Sequence, residues 1–148
     1  MKWASLPRTD HVFTHFDEVT GVQTTLAADR IRACVELVTK LDPSFIACCP
    51  ITDEDADIIR RKRGLEPARL RRAMKTKKYQ PLLFINMPDN TQLLIDGSHT
   101  YVALHAKGFK SAAAYLVPEI MWRAFVIEDM PRFSSEEHML NTPSGIKT

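Results

Sequence analysis

One stretch decides the fold of this chain, Leu93-Leu94-Ile95-Asp96-Gly97-Ser98-His99-Thr100-Tyr101. Its first three residues are apolar, as in a buried strand, and an amphipathic helical pattern begins after the glycine. Residues 96–99 therefore lie where a strand ends and a helix begins. Such a junction presents open backbone N–H groups and the positive end of a helix dipole, which together attract anions. A carboxylate, a glycine, a hydroxyl and an imidazole at four consecutive positions predict a phosphate-binding turn.

Hydrophobic periodicity and turn residues predict further strands and helices on both sides of this junction. An Asp-Pro pair at residues 42–43 ends the first predicted helix, and Thr52 caps the second. Residues 118–128 are ambiguous between helix and strand. The predicted strands are 11–16, 44–49, 81–87, 91–96 and 111–117, and the predicted helices are 24–41, 53–63, 66–77 and 98–107.

Length and composition predict one globular domain. A chain of 148 residues is long enough for one substantial core and too short for two. We assign the domain to residues 1–130 and expect the polar residues 131–148 to form a flexible tail. Cys34, Cys48 and Cys49 match no metal-ligand or disulfide pattern, and the adjacent pair has the pattern of buried thiols. Because there is no signal core and no membrane-length apolar run, we expect a cytoplasmic protein without membrane contact.

Basic residues concentrate between residues 60 and 78, where Glu66 is the one acidic residue. The net charge of +2 does not by itself indicate nucleic-acid binding. Two interpretations remain open for the stretch, a solvated helical face or a surface that faces phosphate or nucleic acid. Under the second interpretation the candidate nucleic-acid contacts are Arg60, Arg61, Arg63, Arg71, Lys75, Lys77 and Lys78.

Two motifs, in this order along the chain, resemble the ParB/sulfiredoxin superfamily. Residues 66–76 read Glu-Pro-Ala-Arg-Leu-Arg-Arg-Ala-Met-Lys-Thr and are similar to the sulfiredoxin helix Asp-Pro-Ala-Lys-x-x-Ser-x-Met-x-Thr. The junction at residues 96–100 is similar to the family turn, which is Gly-Cys-His-Arg in sulfiredoxins and Asp-Gly-His-His-Arg in related free-serine kinases. The likeness covers about residues 45–120. It implies an α/β (α+β) fold, with a small mixed sheet flanked by helices and an extra amino-terminal strand and helix segment.

The resemblance also implies a nucleotide site, with ATP or another nucleotide as the ligand. Gly97, Ser98, His99 and Thr100 match the phosphate-binding turn. Asp96 matches the aspartate that the kinase branch uses near its metal and phosphates, which makes it the candidate Mg²⁺ ligand. Asp96, Ser98 and His99 are accordingly the candidate catalytic residues.

The helix at residues 66–76 would form the opposite wall of this site. Arg69 matches the sulfiredoxin lysine that contacts a nucleotide phosphate, and Thr76 matches a threonine near the same nucleotide. Arg72 stands where the family has a serine. All three are therefore candidate nucleotide contacts.

The departures from the family pattern change the expected chemistry. Ser98 occupies the place of the sulfiredoxin cysteine, and a hydroxyl cannot replace a thiolate in the reduction of a sulfinic acid. Thr100 replaces an arginine that would bind phosphate through two N–H groups, a loss of about 1.5–3 kcal/mol. Either the phosphate site is weakened or Arg69 or Arg72 supplies the missing cation.

Three functional hypotheses follow. The first is a nucleotide-phosphate-binding domain, which could act as a phosphotransferase or a nucleotide hydrolase; the sequence leaves enzymatic turnover open. The second is a DNA-binding or nuclease module that uses the basic residues. The third is a non-catalytic interaction domain with a degraded site, which would bind a protein partner or form a homodimer.

Structural roles compete with each candidate residue. Ser98 is at a position where serine often caps a helix, Asp96 at one where aspartate often forms a turn, and His99 also fits a surface histidine. His11 and His15 have a spacing that could bind a metal, but no third ligand is evident.

Overall fold

The computed structural model of the chain describes residues 12–131. Within them the elements are β1 (Val12–Asp17), β2 (Val22–Ala27), α1 (Ala28–Thr39), β3 (Ile46–Pro50), α2 (Asp53–Lys62), α3 (Pro67–Lys75), β4 (Leu82–Asn86), β5 (Gln92–Asp96), α4 (Ser98–Ala106), β6 (Ser111–Val117), α5 (Glu119–Trp122) and β7 (Val126–Pro131). Short 3-10 helices cover Pro43–Phe45 and Arg123–Phe125. No helix between residues 12 and 131 has the length and apolar character needed to cross a bilayer.

The strands form two small sheets. One is antiparallel with the order β1-β2-β7, and the other has the order β3-β6-β4-β5. In the four-stranded sheet β4 and β6 are parallel, whereas the other neighbours are antiparallel. The mixed α/β class predicted from the sequence is therefore confirmed, and the specific ParB/sulfiredoxin fold stays a prediction.

The core lies on both faces of the four-stranded sheet. Successive strand residues point to opposite faces, so Leu82 and Leu83 join different hydrophobic clusters. The cluster around Leu83 includes Ile31 of α1 and Trp122, whereas the cluster around Leu82 includes residues of α2 and α4. Helix α1 and the three-stranded sheet thus cover one face, and α2, α3 and α4 cover the other.

Local sequence signals explain most of the helix boundaries. The Thr52 hydroxyl accepts a hydrogen bond from the N–H of Asp55 at 3.1 Å and begins α2. Acidic residues occupy the first turn of α2 and basic residues its last turn, which suits the helix dipole. Pro67 occupies the first position of α3, where its missing N–H has no intrahelical partner to lose. These predictions are confirmed.

Two predicted boundaries are wrong. Residues 24–27, predicted as helix, belong to β2, because the β-branched Thr24 and Thr25 pair with His15 and Thr14 of β1. The strand predicted at 44–49 begins only at Ile46, after the 3-10 helix. Residues 118–128, which the sequence left open, divide between the short α5, a 3-10 turn and the start of β7.

The prediction of buried cysteines is also wrong. Cys48 is exposed and Cys49 is only partly buried, because β3 is an outer strand of its sheet. The tail predicted for residues 131–148 lies outside the described residues apart from Pro131, which ends β7. His11 also lies outside them.

Candidate functional site

The turn between β5 and α4 requires glycine. Gly97 has φ +116° and ψ 19°, in the left-handed region that other residues rarely adopt. A Cβ atom there would lie 2.9 Å from Cδ2 of the buried Leu82. Gly97 is also the cap residue of α4, and no side chain caps this helix. The interpretation of Ser98 as a helix cap is therefore wrong, since Ser98 is the first helical residue.

The amino end of α4 has open hydrogen-bond donors. The Tyr101 N–H donates to the Gly97 carbonyl oxygen at 2.7 Å, but the N–H groups of Ser98, His99 and Thr100 have no acceptor among the described residues. The first turn of α4 contains no acidic residue. Helix α2, in contrast, has both a side-chain cap and three acidic residues at its start. The positive end of α4 is therefore uncompensated by side chains of its own first turn.

A cleft of about 250 Å³ lies at this end of α4. It combines residues of the turn with residues from the ends of α2 and β5, from α3 and from β1. Its lining residues are Phe13, Arg63, Gly64, Leu65, Arg69, Ile95, Asp96, Gly97, Ser98, His99 and Thr100. All five predicted residues of the turn therefore meet in one cavity, together with Arg69.

Arg63 is the residue that follows α2, and it lines the cleft. It donates hydrogen bonds to the Leu94 carbonyl oxygen at 2.7 Å and, through a long contact of 3.4 Å, to Ser98 Oγ. Its guanidinium group also lies over the Phe13 ring, 4.9 Å from the centroid. Burial lowers the pKa of Arg63, which nevertheless remains a cation. The sequence makes this residue a candidate nucleic-acid contact under one of two interpretations, and the structure places it beside the turn.

His99 connects α4 to the start of α3. Its Nε2 atom accepts a hydrogen bond from the Glu66 N–H at 2.9 Å. Burial, and after it the positive charge of Arg69, lowers the pKa of His99; Glu66 acts in the opposite direction and Arg72 adds to the lowering. A neutral ring with Nε2 as acceptor carries its proton on Nδ1. His99, a lining residue of the cleft, therefore carries an N–H donor rather than a positive charge.

Asp96 is paired with an arginine that the sequence did not reveal. Arg32 of α1 donates from Nε to Asp96 Oδ2 at 2.9 Å and from its terminal nitrogen to the Pro81 carbonyl oxygen at 2.7 Å. The side chain of Arg32 is only 11% exposed and that of Asp96 26%, so water screens the pair weakly. The other carboxylate oxygen, Oδ1, has no hydrogen-bond partner among the described residues.

A β-bulge explains how Asp96 reaches Arg32. Leu83 pairs with Asp96 and Phe84 pairs with Leu94, which leaves Ile95 without an opposite residue. Without the bulge, strand alternation would send residues 95 and 96 to opposite faces of the sheet. With it, Ile95 packs in the cluster that contains α1, and Asp96 bonds to a residue of α1. The hydrophobic pattern of β5 carries no signal of this bulge.

The predicted opposite wall is only partly present. Arg69 lines the cleft and lies 3.7 Å from Glu66 in an i,i+3 ion pair. Arg72 lies on α3 but does not line the cleft. Thr76 is the C-cap residue that follows α3, about 10 Å farther along the helix axis than Arg69, and it does not line the cleft either. The Thr76 hydroxyl donates to the Arg72 carbonyl oxygen at 2.8 Å. Of these three predicted contacts, Arg69 alone lines the cleft, and Arg72 acts on the turn only through the effect of its charge on His99.

The remaining candidates for nucleic-acid contact stay on the surface. Arg61 is 62% exposed and forms an i,i+4 ion pair with Asp57 at 3.0 Å. Except for Arg63, the predicted residues are all exposed, and they comprise Arg60, Arg61, Arg71, Lys75, Lys77 and Lys78. This placement fits a solvated basic face as well as a nucleic-acid surface.

Among the described residues, no group of three or more His, Cys, Asp or Glu side chains could hold a metal ion. Asp96 is the only carboxylate among the described lining residues of the cleft. Magnesium can bind through one or two carboxylates when substrate phosphates and water complete its shell. Mg²⁺ at Asp96 therefore stays a prediction that requires a bound phosphate.

No protein-family model, curated protein or solved structure matches this chain. The resemblance to the ParB/sulfiredoxin superfamily therefore rests on the two sequence motifs.

Proposed function

We propose that the cleft at the amino end of α4 binds the phosphate groups of a nucleotide, in a domain of the ParB/sulfiredoxin type. One observation carries the proposal: three open N–H groups of α4 lie in a cleft that also contains Arg63 and Arg69. The only carboxylate of that lining within the described residues, Asp96, is already paired with Arg32. The cleft therefore has an excess of positive charge and of hydrogen-bond donors, which an anion would balance.

The reaction class that this arrangement favours is phosphoryl transfer or nucleotide hydrolysis. In both reactions, negative charge is distributed over the oxygens of the transferred phosphoryl group, and fixed N–H donors stabilise it. The open N–H groups, Arg69 and the Nδ1–H of His99 supply such donors. Asp96 Oδ1 would hold Mg²⁺ against the phosphates, and the metal would neutralise part of their charge. Ser98 would contact the same phosphate through its hydroxyl group.

Calorimetric titration with ATP, ADP and CTP, with and without Mg²⁺, tests the binding proposal. We expect saturable binding of at least one nucleotide, and Mg²⁺ should strengthen it if Asp96 is a ligand. Arg69→Met should weaken binding, because this residue lines the cleft. A folded protein that binds none of the three nucleotides would falsify the proposal.

A nucleic-acid module is the second candidate, favoured by the exposed basic residues of α2 and α3. It predicts DNA binding that weakens steeply as salt is raised, since each neutralised phosphate releases counterions. Charge reversal by Arg61→Glu with Arg71→Glu should abolish DNA binding and leave nucleotide binding intact. DNA affinity that is independent of salt, or unchanged in this double variant, would exclude the basic residues of α2 and α3 as the DNA-binding site.

A non-catalytic interaction domain, with a protein partner or a second copy, is the third candidate. Thr100 favours it, because this residue lines the cleft where the family turn has an arginine. Thr100→Arg separates the possibilities. Increased nucleotide affinity would indicate a degraded site, whereas decreased affinity would indicate a site rebuilt around other cations.

A further inference from the structure

Arg63 is the cation of the cleft whose charge is least compensated. A guanidinium group has five N–H donors, of which the Leu94 carbonyl oxygen and Ser98 Oγ use two. Arg63 forms no ion pair with a carboxylate of the described residues, although it is half-buried. Arg69, by comparison, is 45% exposed and lies near Glu66. A partly desolvated cation without a counterion favours an anionic ligand more strongly than a solvated, paired one.

Arg63 is also held in a fixed position. The hydrogen bond to Leu94 joins it to the outer edge of β5, and the Phe13 ring supports the face of the guanidinium group. Because these contacts set its orientation, less rotamer entropy is lost when its remaining donors bind an anion. Arg63 thus supplies the cleft with a guanidinium cation, which Thr100 does not.

The lining of the cleft provides little with which to recognise a nucleotide base. Its volume of about 250 Å³ is below the range of about 300–1,000 Å³ for sites that enclose an organic ligand. Phe13 is the one phenyl ring among the described lining residues, and Arg63 covers a face of it. The His99 ring is fixed by its bond to Glu66. The cleft therefore has room for a phosphate end but not for a whole nucleotide.

From these contacts, and on the basis of the proposed function, we infer that the cleft recognises the phosphate end of its ligand without reading the base. Arg63 is the residue that determines this recognition. The substrate class is accordingly phosphorylated compounds in general, including inorganic polyphosphate, rather than one nucleotide.

Titration with ATP, CTP and inorganic tripolyphosphate tests the inference. We expect the three dissociation constants to agree within about threefold, since the donors of the cleft meet the same phosphate groups in each. Arg63→Lys keeps the charge but removes the planar guanidinium group with its five N–H donors, and should weaken the binding of all three ligands by about tenfold or more. Arg123→Lys is the matched control, because Arg123 also lies over an aromatic ring, Trp122, at 4.5 Å and does not line the cleft.

Each outcome has a distinct meaning. Binding of ATP without binding of tripolyphosphate would refute base-independent recognition and leave the proposed nucleotide site standing. Equal affinities that Arg63→Lys does not change would refute the role of Arg63. Absence of binding by all three ligands would refute the proposed function together with the inference. Circular dichroism and thermal unfolding of the lysine variants verify that each is folded before its affinity is interpreted.

Discussion

Replacement of Gly97 by alanine tests the turn on which the site is built. Two costs add at this position. The backbone holds φ +116°, which costs a residue with a Cβ atom about 1–2 kcal/mol. The new Cβ would also lie 2.9 Å from Cδ2 of Leu82, whose side chain is 1% exposed and cannot move into solvent. Overpacking of this kind costs about 1–3 kcal/mol, so Gly97→Ala should lower the free energy of unfolding by about 2–5 kcal/mol.

Two other glycines separate these costs. Gly108 has φ +86°, and a Cβ atom there would meet no neighbour within 4 Å, so Gly108→Ala should show the backbone cost alone, about 1–2 kcal/mol. Gly64 has neither a positive φ nor a close neighbour, and Gly64→Ala should be neutral or stabilising by up to about 1 kcal/mol.

Urea denaturation of the three variants gives the comparison directly. A double-mutant cycle with Leu82→Ala adds a second measurement. Because this variant lacks Cδ2, the cost of Gly97→Ala in its background should be smaller by the part that comes from overpacking. If Gly97→Ala costs no more than Gly108→Ala, or if its cost is the same in the Leu82→Ala background, the close approach to Leu82 is refuted.

Three further predictions concern individual contacts. Arg32→Met should lower the free energy of unfolding by about 2–3 kcal/mol in urea denaturation, because it leaves the partly buried Asp96 carboxylate unpaired. Arg61→Met breaks an exposed ion pair and should cost under about 1 kcal/mol. If Arg32→Met costs no more than Arg61→Met, the partly buried ion pair of Arg32 with Asp96 is contradicted. Burial lowers the pKa of His99 from its ordinary 6.5, so just below pH 6.5 the unfolded chain binds more protons than the folded one. The free energy of unfolding should therefore rise with pH in this range. His99→Gln should flatten the rise, and a variant with the same pH profile as the original protein would contradict the lowered pKa. Thr52→Ala removes the cap of α2 and should cost about 1 kcal/mol by thermal unfolding, whereas a cost near zero would show that the cap is not needed.

The candidate turn was predictable from sequence because its signals are local. An apolar run, a glycine and a helical pattern meet within nine residues, and the cap at Thr52 and the proline at residue 67 mark their helices as clearly. The boundary at residues 24–27 was not predictable, because the pairing of β2 with β1 and β7 decides it. Exposure of Cys48 depends likewise on the place of β3 at the edge of its sheet.

The sequence by itself thus determined the α/β class, the strand–turn–helix junction and the concentration of basic residues between residues 60 and 78. Only the tertiary structure decided which cations reach the junction. Arg32 meets Asp96 across 64 residues, and Arg63 meets Leu94 and Ser98 across 31 and 35. Capping and periodicity act within a few residues along the chain, whereas these long-range contacts of Arg32 and Arg63 form only after helices pack on the sheet and a bulge turns the strand end. The residues of the junction can therefore be recognised from the local sequence, whereas the cations that surround it are known only from the tertiary structure.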